Sequence, residues 1–313
     1  MARNPRYTEP NSLVEVTVRC IQGRYLLRPS PELNDVFVGV LGKGQAMTGL
    51  PLVGTVALSS HYHLLAVPKD QEQLSRFMCF VNSNLSKEVG RLHNWSGTLW
   101  EARYRSIPVD NDETAQVARL RYLLSQGVKE CLVKRPEEWP GVHCAKALHE
   151  GQDLIGRWFD RTKLYRKRIV EGKEVTGEEC SEEVRLRFIP LPCWADCSPA
   201  DYRSEVGRMI DEIVLKGAEE RQENGGDVLG AQAVSEQDPH HSSPRRAKSP
   251  APLFHASTEV AYRALYKAFS LVFAAYRLAA EKLRSGYREV EFPEGTFPCS
   301  RSFVPFECRG DPA

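Results

Sequence analysis

The sequence lacks any uninterrupted apolar stretch approaching the ~20 residues that a transmembrane helix requires. No hydrophobic run follows the arginines of residues 1–10, so we expect no signal peptide. The nine cysteines are an odd number without regular spacing, which disfavours a disulfide framework and favours reduced thiols. We therefore expect a cytoplasmic protein with no membrane partner.

The chain also lacks an excess of charge of either sign, with 42 Lys and Arg residues against 41 Asp and Glu residues. Any binding to nucleic acid must therefore come from local basic patches rather than from the net charge. Its 313 residues, 42% of them hydrophobic, suffice for a core and indicate two domains, or one domain with a long extension.

Strand and helix patterns alternate through the first 150 residues. Short β-branched or alternating runs predict strands at Val14–Val18, Thr55–Leu58, His63–Val67 and Tyr104–Val109. Helical spacing of apolar residues predicts helices at Pro31–Leu41, Leu74–Leu92 and Thr114–Leu124. This order predicts an α+β domain with an antiparallel sheet and packed helices.

The rest of the chain is richer in charged helix formers and in Pro-containing connectors. We expect residues 151–222 to form a mostly helical extension, and residues 223–255, which contain Gly225-Gly226 and Pro239, to form a flexible linker. In residues 256–313 we expect a long helix, capped by Ser257 and ending near Gly286, and then a tail. Its apolar stripe indicates packing on its own domain in preference to self-association.

Four residues carry the chemistry that the sequence indicates. His61 and His63 project from one face of a strand because side chains two residues apart share a face. Tyr122 and Gln126 are four residues apart, the spacing that brings side chains together on a helix. Each feature alone is more often structural. Together, two imidazoles and an amide oxygen suit Mg²⁺ or Mn²⁺, and a tyrosine beside such a metal can attack a phosphodiester.

Three blocks of sequence carry a resemblance to a known family. They are His61-Tyr62-His63 before an apolar strand, Gly97-Thr98-Leu99-Trp100 with the following Arg103-Tyr104, and the helix segment Leu120-Arg121-Tyr122-Leu123. Over residues ~11–145, their order and spacing resemble the HUH single-tyrosine transposases, which include insertion-sequence transposases and REP-associated tyrosine transposases. One departure is Ser59-Ser60, where many members have Pro-Asn before the first histidine.

The resemblance implies a ferredoxin-like fold for residues 1–150 and a role for each of the four residues. His61, His63 and Gln126 would bind the metal, and Tyr122 would attack single-stranded DNA, leaving a 5′-phosphotyrosine and a free 3′-hydroxyl. Attack by another 3′-hydroxyl would rejoin the strands. Family members act as homodimers that exchange the tyrosine helix or as single chains, so a homodimer is a possible state of this chain.

Basic and aromatic residues cluster in the first domain and are typical of surfaces that hold single-stranded or hairpin DNA. The candidates are Arg91, Trp95, Trp100, Arg103, Arg105, Arg119 and Arg121. Two alternatives to DNA binding remain open. Trp100 can be buried in the core, and Arg119 and Arg121 can simply lie on a solvated helix face.

Two other functions compete with a nicking and rejoining enzyme. The first is a domesticated DNA-binding protein that retains the fold without cutting. The second is a metal-dependent hydrolase in which water is the nucleophile. The presence of all four residues favours the enzyme with a nucleophilic tyrosine.

Overall fold

A four-stranded antiparallel sheet forms the centre of the first 150 residues. The computed structural model describes residues 6–242, 252–287 and 289–296. The strands are β1 (Val14–Arg19), β2 (Leu52–Leu58), β3 (His61–Ala66) and β4 (Arg105–Pro108), arranged in the order β2-β3-β1-β4. Helices α1 (Pro31–Thr48) and α2 (Gln71–Leu92) connect them in the sequence βαββαβ. This is the ferredoxin-like topology, and it confirms the predicted α+β class.

Both faces of the sheet are covered. Alternate residues of β1 and β3, among them Val16 and Leu64, pack with α1 and α2 in one hydrophobic core. On the opposite face, Val56 and Leu65 pack with α3 (Glu113–Leu124) in a second core. A side chain on either face of β1 or β3 is therefore placed against a helix or a loop.

The segment predicted as a mostly helical extension also contains a β-hairpin, which its sequence pattern does not indicate. Strands β5 (Leu154–Phe159) and β6 (Ser181–Leu186) pair antiparallel and pack on α1. Glycine makes this close packing possible, since a Cβ on Gly39 would lie 2.0 Å from the backbone oxygen of Arg157. The hairpin is held by its contacts with α1. Its own sequence therefore shows little regular alternation of apolar and polar residues.

Further helices follow α3 along the chain. They are α4 (Ala145–Glu150), α5 (Arg161–Tyr165), α6 (Pro199–Asn224), α7 (Ala231–Ser235) and α8 (Glu259–Arg284). Val206, Met209 and Ile210 of α6 belong to the same core as Leu120 and Leu123 of α3. The boundary predicted at residue 150 therefore falls within shared hydrophobic cores.

The described part of the predicted linker lies against the domain. Val234 of α7 is fully buried, Gly230 N donates to Leu132 O at 2.9 Å, and Arg28 donates to Ser235 O at 2.9 Å. Burial of the Val234 side chain explains why this segment packs on the domain although its composition predicts a flexible linker. Residues 243–251 of the predicted linker lie outside the described residues.

Helix α8 begins one residue later than predicted, because the side chain of Thr258, and not of Ser257, accepts a hydrogen bond from Ala261 N. The helix buries Phe269 and Leu283 but leaves Leu271 67% exposed, so its apolar stripe is only partly covered. Residues 297–313 of the predicted tail lie outside the described residues. No helix in the described ranges is long and apolar enough to cross a membrane.

Candidate functional site

The two histidines of the His-x-His motif lie side by side at the start of β3. β3 pairs with β1 on one side and with β2 on the other, so His61 and His63 stand near the middle of the sheet. Their ring centroids are 5.1 Å apart. His63 is buried, whereas His61 is half-buried at the strand end, where Ser60 Oγ lies 3.1 Å from its Nδ1.

Helix α3 brings Tyr122 onto the same face of the sheet. Asp112 caps the helix by accepting a hydrogen bond from Ala115 N at 2.9 Å. The ring of Tyr122 meets the ring of His63 edge to face, with centroids 5.8 Å apart. The structure thus places His61, His63 and Tyr122 in one cluster.

Gln126 lies just beyond the helix, which differs from the helical position predicted for it. α3 ends at Leu124, with Ser125 as C-cap, and Gly127 adopts φ 86°. The Gln126 side chain is 1% exposed, and its Nε2 donates to the backbone oxygen of Tyr122 at 3.0 Å. The spacing predicts a contact between the two side chains, whereas the observed hydrogen bond joins the Gln126 side chain to the Tyr122 main chain. Because the amide nitrogen is used in this way, the amide oxygen is the atom suited to a metal.

A buried carboxylate that the sequence analysis missed lies behind the histidines. Glu15 of β1 is 4% exposed, and its Oε1 lies 2.9 Å from His63 Nδ1. His255 Nε2 is 2.7 Å from Glu15 Oε2, and Arg119 is 3.5 Å from the same oxygen. Burial acts to raise the pKa of Glu15, but its contacts with His255 and His63 outweigh burial and hold this pKa well below its usual value.

Burial holds the pKa of His61 well below its usual value, and the neighbouring His63, Arg19 and Lys129 act in the same direction. His61 is therefore neutral near pH 7. Neutral imidazole is the form that binds metal ions.

Two cations lie over the ring of Tyr122. The Arg119 guanidinium carbon is 4.8 Å from the ring centroid and Lys129 Nζ is 3.6 Å from it. Arg119 was predicted as a DNA contact, whereas Lys129 was missed, because a single lysine after a helix carries no distinctive signal. Arg121, also predicted, forms an ion pair with Glu212 of α6.

His61, His63 and Gln126 carry donor types found in borderline-to-hard divalent cation sites. His63 Nε2 is buried and has no hydrogen-bond partner among the described residues, while Nδ1 of the same ring is held by Glu15. A free nitrogen on an anchored ring is typical of a histidine ligand. Two imidazole nitrogens and a carboxamide oxygen suit Mg²⁺ or Mn²⁺. The described residues contain no group of three or more His, Cys, Asp and Glu side chains placed to share a metal ion, so the proposed set depends on the glutamine.

The other predicted arginine contacts lie on α2 and on or next to β4. Arg103 and Arg105 are exposed, and Arg105 pairs with Thr17 of β1. Arg91 forms an ion pair with Glu88 at 2.7 Å.

Neither Trp95 nor Trp100 is a freely exposed ring on which a base could stack, because both rings already contact protein groups. Trp100 packs edge-on against Tyr62, 5.7 Å between centroids, and its indole N–H donates to Asn82 O at 3.0 Å. Trp95 is half-buried beneath His240, with ring centroids 5.8 Å apart, and Arg24 lies 5.2 Å from its ring.

A cavity of about 1000 Å³ opens beside Tyr122, between α3 and α6. Val117, Trp194 and Ile213 supply apolar wall, while Arg121 and Glu212 place charges of both signs on it. Tyr122 is thus one of the residues that line a cavity beside the sheet.

Comparison with known proteins adds two partial similarities. No protein-family model and no curated protein match the chain. A solved structure of a REP-associated tyrosine transposase bound to a REP hairpin is 17% identical with a TM-score of 0.38, covering 45% of this chain and 81% of that one. A Deinococcus radiodurans R1 protein provisionally named a transposase is 18% identical with a TM-score of 0.28, covering 38% of this chain and 95% of that one. At such values neither similarity assigns a family or an activity, and the fold described above rests on strand order.

Proposed function

We propose that this protein is a transposase-like enzyme that nicks and rejoins single-stranded DNA at hairpins or repeats through a 5′-phosphotyrosine intermediate. The observation that carries the proposal is the meeting of the histidine pair with the tyrosine. His61 and His63 ring centroids are 5.1 Å apart, and the Tyr122 ring is 5.8 Å from that of His63. These residues come from a strand and a helix that are far apart in sequence, as the resemblance to HUH single-tyrosine transposases implies.

In the first step the phenolic oxygen of Tyr122 transfers its proton to solvent water, which returns a proton to the leaving oxygen, and forms a bond to phosphorus. The bond from phosphorus to the 3′-oxygen breaks, and that oxygen leaves as a 3′-hydroxyl after taking up a proton. The 5′-phosphate remains on the tyrosine. Attack by a 3′-hydroxyl reverses the step and joins two strands, so the phosphodiester energy is kept in the covalent link and no nucleotide cofactor is required.

The side chains around Tyr122 have distinct roles in this step. His61, His63 and Gln126 would hold Mg²⁺ or Mn²⁺, which when bound polarises the phosphodiester and neutralises charge on its non-bridging oxygens. Lys129 and Arg119, already over the Tyr122 ring, are placed to attract the phosphate.

The DNA would approach over the exposed arginines. Arg103 and Arg105 are exposed on or next to β4, which lies beside β1 in the sheet. Exposed cations of this kind bind phosphates without reading sequence.

A labelled single-stranded hairpin incubated with the full chain and Mn²⁺, followed by a denaturing gel, tests the proposal. We expect a covalent protein–DNA band in the wild type and its loss in Tyr122→Phe. Tyr165→Phe is the matched control because Tyr165 is 62% exposed and distant in sequence from the site. Its band should equal that of the wild type.

The other outcomes separate the competing functions. A band that persists in Tyr122→Phe removes this residue as nucleophile. Hairpin binding without a band or cleavage supports the non-cleaving DNA-binding protein. Cleavage without a covalent band supports a hydrolase that uses water.

A further inference from the structure

Glu15 is a carboxylate enclosed by groups that can each carry or share a proton. Its side chain is 5% exposed, and those of His63, His255 and Arg119 are 6%, 15% and 22% exposed. A buried carboxylate without partners carries a high energetic cost, so such contacts account for its presence in the core.

The two carboxylate oxygens have separate partners. Oε1 lies 2.9 Å from Nδ1 of His63. Oε2 lies 2.7 Å from Nε2 of His255 and 3.5 Å from a guanidinium nitrogen of Arg119. Because His255 and Arg119 occupy Oε2, Oε1 remains for His63.

This division determines which nitrogen of His63 carries the proton. An ionised carboxylate only accepts hydrogen bonds, so Nδ1 must be the donor. In the neutral ring Nε2 then keeps its lone pair, and this is the buried nitrogen for which the described part of the chain supplies no hydrogen-bond partner. Thr17 Oγ1, 3.2 Å from the same Nδ1, is the other polar neighbour that can influence the tautomer.

We propose that Glu15 is a positioning residue that fixes His63 as the Nδ1–H tautomer and thereby leaves the Nε2 lone pair for the catalytic metal. The metal role of His63 rests on the function proposed above, whereas the tautomer does not. Arg119 also lies over the ring of Tyr122. Glu15 therefore contacts both His63, a proposed metal ligand, and Arg119, a neighbour of the proposed nucleophile.

The segment before α8 takes part through His255. His255 N donates to Pro108 O at 2.9 Å and Asp110 N donates to His255 O at 2.8 Å, which holds this segment along the end of β4. A residue far along the chain from the sheet thus contacts Glu15, and it offers no recognisable motif in the sequence.

The direct test is ¹⁵N NMR of histidine side chains in the metal-free full chain near pH 7, with the His63 signals assigned by their loss in His63→Gln. In the wild type we expect a protonated Nδ1 and an unprotonated Nε2. Glu15→Gln can either donate to or accept from Nδ1, so we expect a mixture of tautomers. Thr17→Val, the matched control, should keep the wild-type tautomer.

A wild-type signal for the Nε2–H tautomer overturns the proposal, and this result needs no variant to fold. A shift in Thr17→Val with none in Glu15→Gln also overturns it, because Thr17 would then fix the ring. Since this measurement uses neither DNA nor metal, failure of the nuclease proposal leaves its result unaffected.

Mn²⁺ titration followed by electron paramagnetic resonance tests the link to the metal. Loss of a partner behind a histidine ligand weakens metal binding by about 10–100-fold. We expect a rise of this size in the Mn²⁺ dissociation constant for Glu15→Gln and none for Thr17→Val. An unchanged constant in a Glu15→Gln protein whose tautomer has shifted would contradict a role for Glu15 in metal binding.

Discussion

The position of Tyr122 depends on how closely α3 approaches β2, and Gly54 sets that approach. A Cβ at Gly54 would lie 2.7 Å from Leu123 Cδ2 and 3.0 Å from Cys144 Sγ. Carbon atoms in contact are normally about 3.5–4.0 Å apart, so Gly54→Ala requires a displacement of roughly 1 Å. Leu123 is 1% exposed and Cys144 is fully buried, so neither can turn into solvent. We expect overpacking to lower the free energy of unfolding by about 1–3 kcal/mol.

Urea denaturation of the wild type and of Gly54→Ala measures this loss. Gly226→Ala is the control, because a Cβ at Gly226 meets nothing within 4 Å. Combining Gly54→Ala with Leu123→Val should recover part of the loss. Contacting residues commonly couple by about 0.5 kcal/mol or more, so we expect the double variant to depart from additivity by at least that amount.

Leu123 is adjacent to Tyr122 on α3, so a shift of this helix that relieves the contact should also slow the chemistry. A catalytic group misplaced by about 1 Å can lose about 100-fold in rate, so the covalent band on hairpin DNA should form far more slowly in Gly54→Ala. Wild-type stability in Gly54→Ala would refute the overpacking argument. Reduced stability with an unchanged rate of adduct formation would show that the packing of α3 on β2 does not determine the position of Tyr122.

Three further predictions concern the helix cap, the cation and the metal. Asp112→Ala removes the N-cap of α3 and should cost about 1 kcal/mol in urea denaturation; Asp70→Ala, which removes the N-cap of α2, should cost a similar amount, but only Asp112→Ala should also slow adduct formation. Lys129→Met removes a cation 3.6 Å from the Tyr122 ring centroid and should slow adduct formation by about 10-fold or more, whereas Lys134→Met, which changes a 55% exposed side chain, should match the wild type in single-turnover gels. Chelation with EDTA should abolish the adduct and Mn²⁺ should restore it, while hairpin binding in a mobility-shift assay persists; an adduct formed in EDTA contradicts the metal requirement.

Local pattern was sufficient to predict the central fold. His63–Val67 and Tyr104–Val109 were predicted as strands within one or two residues of their observed bounds, because alternation records which side chains face a core. The β5–β6 hairpin was missed, since it is held by non-local packing on α1, where Gly39 allows backbone to approach backbone.

The candidate site was predicted only where a motif carried it. His61, His63 and Tyr122 stand in recognisable blocks, and the structure brings them together. Glu15 alternates with valines in β1, a pattern that predicts a strand but not the burial of its polar side, whereas both faces of this sheet are covered. His255 has no local signal at all. Side chains that contact each other from distant segments of the chain, as Glu15 and His255 do, cannot be identified from residue spacing or composition.

Tandem mass spectrometry of the trapped protein–DNA adduct tests the central claim most directly. Trypsin cleaves after Arg121 and after Lys129, which releases a peptide in which Tyr122 is the only tyrosine. The account predicts a nucleotide joined to Tyr122 through its 5′-phosphate. A nucleotide on any other residue, or a linkage through a 3′-phosphate, would contradict it.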